Sequence, residues 1–313
     1  MELRQLATDV YACLQADRGL GTSNSGFINH GGGLVIDTFW DLPHTRRLIE
    51  HYARVWREPA RRVVNTHYNG DHCWGNQLFR GAQIIGHRLC AAAFGKEKPE
   101  AMQFLRAATE SDIPAMAALA RALAEWDFSG IELTPPTTLI DERLDLDLDG
   151  VPVQLIYVGP AHTNSDVIVH LPEQRVLFAG DVLFRLCTPI GWEGTYAHWL
   201  AALDRIVALA PAVIVPGHGP VCGVEGAREM KAYLAYVRAE ARRAFDAGLP
   251  ALAAAKQIDL GPYAGWTEPE RIVFNVERAY REFRGEPFDA PIDAPAMFAG
   301  MHELRSQRLG RAG

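Results

Sequence analysis

The stretch Val63-Val64-Asn65-Thr66-His67-Tyr68-Asn69-Gly70-Asp71-His72 decides how the rest of the chain is read. An apolar pair that closes a buried strand is followed by two imidazoles and a carboxylate within six positions, a density typical of metal ligands. On a regular helix or strand, neighbours such as Asp71 and His72 diverge in direction, so His67, Asp71 and His72 converge only if the backbone turns. Gly70, between Asn69 and Asp71, is a residue type that tolerates such a turn.

The same arrangement recurs three times downstream. Gly159-Pro160-Ala161-His162 follows the apolar run 155–158, Ala179-Gly180-Asp181 follows Val176-Leu177-Phe178, and Pro216-Gly217-His218 follows the run 212–215. Each candidate ligand sits just past a strand, which is how α/β enzymes assemble a site on one rim of a sheet. Imidazole and carboxylate donors without thiolate suit zinc best; iron and manganese fit the same set.

The segment His67-Tyr68-Asn69-Gly70-Asp71-His72 resembles the His-x-His-x-Asp-His signature of the metallo-β-lactamase-fold hydrolases, with asparagine where the second histidine stands. The later histidine, aspartate and histidine follow in that family's order, and the likeness spans residues from about 20 to 220. It implies an α/β fold, an αββα sandwich of two mixed sheets flanked by helices. It also implies that His67, Asn69 and His162 hold a first metal ion, Asp71, His72 and His218 a second, and that Asp181 bridges them. A neutral amide oxygen is a poorer zinc donor than imidazole. One or two zinc ions per chain are therefore expected, with the first site weakened by Asn69.

The implied chemistry is hydrolysis by a metal-bound hydroxide attacking a carbonyl, with Asp71 as the catalytic carboxylate that holds the water and passes a proton to the leaving group. An ester, thioester or lactone is the favoured substrate and a β-lactam the nearest rival. A non-hydrolytic metal scaffold, a metabolite cyclase or lyase, and a mononuclear-iron persulfide dioxygenase are the competing readings on the same fold. Trp74, Trp192 and Tyr196 are candidates to line the substrate pocket. Asp37, ending an early strand, is a candidate to orient the ligand loop from behind. His87, His170 and His198 read as structural. No GxSxG elbow, GxxxxGK[ST] or GxGxxG is present.

Composition narrows the class. A chain of 313 residues, 48% hydrophobic, is large enough for a substantial core. A net charge of −7 disfavours a surface that tracks nucleic-acid phosphates. Five scattered cysteines without a paired framework fit a reducing cytoplasm, and neither an export signal nor a run of about 18 apolar residues is visible. The expected partner is a small-molecule substrate, with no nucleic acid, no membrane, and a homodimer left open.

The pattern along the chain divides it into a catalytic domain over residues 1–222, with a helical insertion at about 89–130, and a helical extension over 223–313 packed on it. Met116, Leu119, Leu123 and Trp126 fall on one face of a helix started by Pro114, suited either to drape over the site or to pack in the core. Thr267 and Glu270 have capping-box spacing. The proline-bearing tail from Glu286 reads as irregular.

Overall fold

The computed structural model describes residues 1–16 and 19–312. Seven strands form the first sheet in chain order: β1 (Glu2–Ala7), β2 (Val10–Leu14), β3 (Ser25–Ile28), β4 (Leu34–Ile36), β5 (Arg62–Val64), β6 (Gln83–His87) and β7 (Thr138–Ile140). The sheet is antiparallel from β1 to β4 and parallel from β4 to β7. A second sheet holds β8 (Arg143–Leu148), β9 (Val151–Tyr157), β10 (Val167–Leu171), β11 (Val176–Phe184) and β12 (Val213–His218). Only its β11–β12 pair is parallel. Both sheets are therefore mixed, as expected.

Alternation along the strands explains the layering. Leu34, Ile36, Val64 and Ile85 point into a core shared with Val153, Leu155, Val167, Val169 and Phe178 of the facing sheet. Their neighbours Val35, Val63 and Ile84 point the other way, onto Leu48 and Tyr52 of helix α1 (Leu42–Tyr52). Strands buried on both faces read as continuous apolar runs, which is why these segments lack alternation in sequence.

Short helix α2 (Gly70–Cys73) carries Asp71 and His72 of the first ligand group, and α3 (Arg88–Ala93), α4 (Pro99–Arg106) and α5 (Pro114–Ala122) follow it. The insertion is thus three short helices. Helix α5 buries Ala117 and Ala120, while Leu123 and Trp126 lie beyond its end in a cluster with Trp40, Trp74 and Phe128. Met116 is only partly buried, because the small alanines make the closest approach.

The outer face of the second sheet, including Ile168, Leu177 and Ile214, is covered by α6 (Tyr196–Leu209), α7 (Val224–Asp246), α8 (Ala251–Gln257) and α9 (Ile272–Phe283). Met230, Tyr233, Val237, Phe274 and Val276 share one core with it. The capping box does not form. Thr267 N–H donates to the Leu186 carbonyl, Glu268 takes a left-handed φ of 50°, and Glu270 pairs with Arg305, so α9 begins only at Ile272. The tail is not irregular either: α10 (Ala294–Ala312) carries Pro295 in its first turn, where a missing N–H costs nothing, and buries Met301 and Leu304. Among the described residues no helix is long and apolar enough to cross a membrane.

Candidate metal centre

The first donors come from the loop after β5. Asn69 ends the extended segment with φ −62° and ψ 141°, and the single turn of α2 then brings Asp71 and His72 round. Gly70 serves this turn by its size rather than by a positive φ: a Cβ there would collide with the Trp74 ring and Trp40 Nε1. His162 follows β9, Asp181 lies within β11, and His218 closes β12. Asp166, unremarked in the sequence, shapes the His162 loop by accepting from Ala161 N–H, Thr163 N–H and the Thr163 hydroxyl at 2.9–3.0 Å. Burial raises its carboxyl to a pKa of about 7.

These side chains meet at one buried point. His72 Nε2 lies 3.3 Å from His218 Nε2, 3.6 Å from Asp71 Oδ2 and 3.1 Å from Asp181 Oδ1. His218 Nε2 is 3.3 Å from both Asp71 Oδ2 and Asp181 Oδ2. Zinc ligands with bonds of about 2.0–2.1 Å stand about 3.3 Å apart along the edges of a tetrahedron, so the Asp71, His72 and His218 triangle has the spacing of three ligands to one ion. On the other side of Asp181, His162 Nε2 is 3.4 Å and His67 Nε2 3.9 Å from Oδ2, and Asn69 Oδ1 is 3.0 Å from His162 Nε2. His67 Nε2 is buried without a hydrogen-bond partner among the described residues.

The far sides of the imidazoles are pinned. His72 Nδ1 donates to Asp37 Oδ2 at 3.0 Å, His162 Nδ1 to the Ile190 carbonyl at 2.7 Å, and His218 Nδ1 to the Thr22 carbonyl at 3.3 Å. His67 Nδ1 lies 3.0 Å from the Thr66 hydroxyl, which itself donates to Asp37 Oδ2. With Nδ1–H committed outward, the Nε2 lone pairs face inward, as ligating histidines require. Asp37, expected from sequence to support the loop, is the hub of this layer, and Thr66 N–H also donates to it.

Electrostatics divide the cluster. Burial and the neighbouring His72 hold the His67 imidazole well below its usual range, and burial lowers His162 too, so both are neutral near pH 7. Burial also disfavours charge on His218, but Asp181 and Asp71 outweigh it and lift its pKa to about 9; His72 is raised likewise. Asp71 feels the reverse: burial pushes it up, yet His72 and His218 bring it down to about 2. In a metal-free chain His72 and His218 therefore carry protons where the second ion would sit. The Asp71 side chain keeps 16% exposure while the Asp181 and His218 side chains keep 4%, so Asp71 is the carboxylate that reaches outward.

Glu97, between α3 and α4, was not singled out in sequence. Its Oε1 accepts from Asn69 Nδ2 at 2.5 Å and its Oε2 from Gly70 N–H at 2.7 Å. Burial raises its carboxyl to about 7. Its neighbour Lys96 pairs with Glu193, whose own N–H donates to the His162 carbonyl.

Two of the three proposed substrate residues are not at an open surface. Tyr196 is buried in the helical core and its hydroxyl donates to the Asn275 carbonyl, while Trp74 is buried against Trp40 and Phe128. Trp192 is partly buried beside Phe274, close in sequence to Ile190. The open space lies elsewhere, between α5 and α10. One cleft is lined by Leu20, Leu119, Ile190, Phe298 and Met301, and an adjoining one of about 360 Å³ by Thr22, Arg121, Trp126 and Arg305. Ile190 and Thr22 are the residues whose carbonyls pin His162 and His218.

Residues 18–218 match the family model of the metallo-beta-lactamase superfamily. The chain is 24% identical over 303 residues to a linear primary-alkylsulfatase of Pseudomonas sp. (strain ATCC 19151), covering 85% of this chain and 57% of that one. It is 29% identical over 192 residues to a hydroxyacylglutathione hydrolase of Rhizobium meliloti (strain 1021), covering 60% of this chain and 59% of that one. Among solved structures, a stereoselective inverting sec-alkylsulfatase from Pseudomonas sp. superposes with a TM-score of 0.65 at 18% identity, over 90% of this chain and 50% of that one. At that identity the likeness is one of fold. The chain spans just over half the length of these curated relatives.

Proposed function

Because this chain belongs to the metallo-beta-lactamase superfamily of metal-dependent hydrolases, we propose that it hydrolyses a small ester, thioester or lactone bearing an apolar part. The observation that carries the reading is the convergence of Asp71, His72 and His218 on one point with Asp181 beside both histidines, the outer nitrogens of those histidines being committed to other acceptors. In this reading His67, Asn69 and His162 hold one zinc ion, Asp71, His72 and His218 another, and Asp181 stands between them. Zinc would supply Lewis acidity and lower the pKa of coordinated water to about 7.

The chain's own residues do the rest. Asp71, the most outward carboxylate, accepts a hydrogen bond from the attacking water and hands its proton to the leaving group. Asp37 and the carbonyls of Ile190 and Thr22 keep the imidazoles from rotating as charge develops. The apolar lining at Leu119, Ile190, Phe298 and Met301 excludes water from one flank and favours a hydrocarbon substituent.

A second reading, the sulfuric ester of an alkyl chain, is favoured by one observation. The alkylsulfatase match covers 85% of the chain against 60% for the hydroxyacylglutathione hydrolase. The scatter of the five cysteines along the sequence, with no CxxC pair or regular framework, supports a reducing, cytoplasmic setting.

The test is a substrate panel of acyl esters, a thioester, a lactone, a β-lactam and an alkyl sulfate, run with zinc-loaded wild type and Asp71→Asn. Hydrolysis of one class, lost about 10²–10⁴-fold in the variant, is the expected result. Turnover that survives both chelation and Asp71→Asn would sink the proposal.

A further inference from the structure

The place that a histidine takes in the family signature is filled by Asn69, whose side chain has two nearly isosteric ends, one a ligand and one not. Which end faces the centre is decided by its neighbours. Three observations converge on the answer. Glu97 accepts from both Asn69 Nδ2 at 2.5 Å and Gly70 N–H at 2.7 Å, one with each oxygen. The amide nitrogen is thereby turned outward and Oδ1 inward, to 3.0 Å from His162 Nε2. His162, in turn, has its Nδ1–H committed to the Ile190 carbonyl, so its Nε2 presents a lone pair. Two acceptors thus face each other at hydrogen-bond distance with no proton between them, a repulsive contact that a cation bound to both removes.

We propose that Glu97 is a positioning residue that locks the Asn69 carboxamide with its oxygen toward the first metal site, so that a neutral amide serves there as a ligand. This rests on the metal-centre reading above. The helical insertion is then part of the centre: Glu97 holds Asn69, while Lys96, through Glu193, holds the backbone at His162. Without Glu97 the carboxamide is free to turn by 180° and offer N–H groups, which cannot ligate.

The experiment is zinc affinity and stoichiometry by competition with a chromophoric chelator, on wild type, Glu97→Ala, Glu97→Gln, Asn69→His and the Asn69→His/Glu97→Ala double variant. Wild type is expected to bind two ions, and Glu97→Ala to weaken the looser one about 10–100-fold, the usual size of a lost outer partner. Glu97→Gln, with one carbonyl left to accept, should fall between, and guards against misfolding of the alanine variant. The deciding comparison is the double variant. Either ring nitrogen of an imidazole can ligate, whereas a carboxamide has an NH2 end that cannot, so adding Glu97→Ala to Asn69→His should change affinity by less than about threefold. An equal loss in both backgrounds would mean that Glu97 merely anchors Gly70 and would overturn the inference, as would an unchanged Glu97→Ala. A wild-type chain that binds no zinc overturns the metal-centre reading and this inference with it.

Discussion

Asp37→Asn isolates the layer behind the donors. Asp37 sits at a left-handed φ of 58°, which asparagine tolerates, so the exchange leaves the backbone unstrained. The carboxylate accepts from Thr66 N–H at 2.8 Å, the Thr66 hydroxyl at 2.7 Å and His72 Nδ1 at 3.0 Å. Asparagine can keep its oxygen on Thr66 N–H, but its NH2 group then faces two donors. Hydrogen bonds to a charged group contribute about 1.5–3 kcal/mol each, so losing two costs roughly 3–6 kcal/mol. At roughly 1.5 °C per kcal/mol for a chain of this length, the melting temperature should fall by about 4 °C or more. Because His72 loses the partner that fixes its Nδ1–H, zinc affinity should drop about 10–100-fold. Thermal unfolding of the metal-free chain and chelator competition on the loaded one read these separately. A variant that melts and binds zinc like wild type would refute the claim that Asp37 organises the centre.

Further outcomes follow from the same geometry. At pH 7 zinc must displace the protons that Asp181 and Asp71 keep on His72 and His218, so calorimetry in buffers of differing ionisation enthalpy should show release of about two protons, and near-zero release would count against the assignment. The His218 pKa, raised from 6.5 to about 9 in the fold, stabilises the metal-free chain fully below pH 6.5, and that contribution disappears as pH rises through 9. Urea unfolding without metal should therefore show a His218 contribution of up to roughly 3 kcal/mol that is present at pH 6 and gone at pH 9.5, so His218→Ala should reduce the loss over that range while the part due to His72, raised likewise, remains. At Gly217 a Cβ would run into Asp181 Oδ1 and the Gly180 backbone. Gly217→Ala should displace Asp181 and cost about 1–3 kcal/mol with loss of zinc uptake, and normal zinc binding would show that Asp181 is not held there.

The αββα layering was legible because its signals are local: apolar runs flanked by turns, each followed by a histidine or an aspartate. Errors arose where long-range contacts override local preference. Thr267 and Glu270 have capping spacing, but Thr267 pairs with the segment at Leu186 and Glu270 with Arg305, so the box gives way to tertiary bonds. The tail after Glu286 reads as broken by prolines, yet burial of Met301 and Leu304 outweighs that and makes it a helix. Trp74 and Tyr196 lie near the ligand loops in sequence, but packing turns both into the core.

By itself the sequence determined which residues could be donors and that His67, His162 and His218 would emerge at strand ends, since side-chain chemistry and strand periodicity are properties of a few adjacent residues, whereas Asp181, expected just past a strand, lies inside β11, which continues to Phe184. Only the tertiary structure decided which atom of each donor faces the centre. That choice is made by hydrogen bonds from distant segments: Asp37 to His72 across 35 positions, Glu97 to Asn69 across 28, and the Ile190 carbonyl to His162 across 28. An imidazole or a carboxamide has two usable ends, and its own neighbours in sequence do not choose between them.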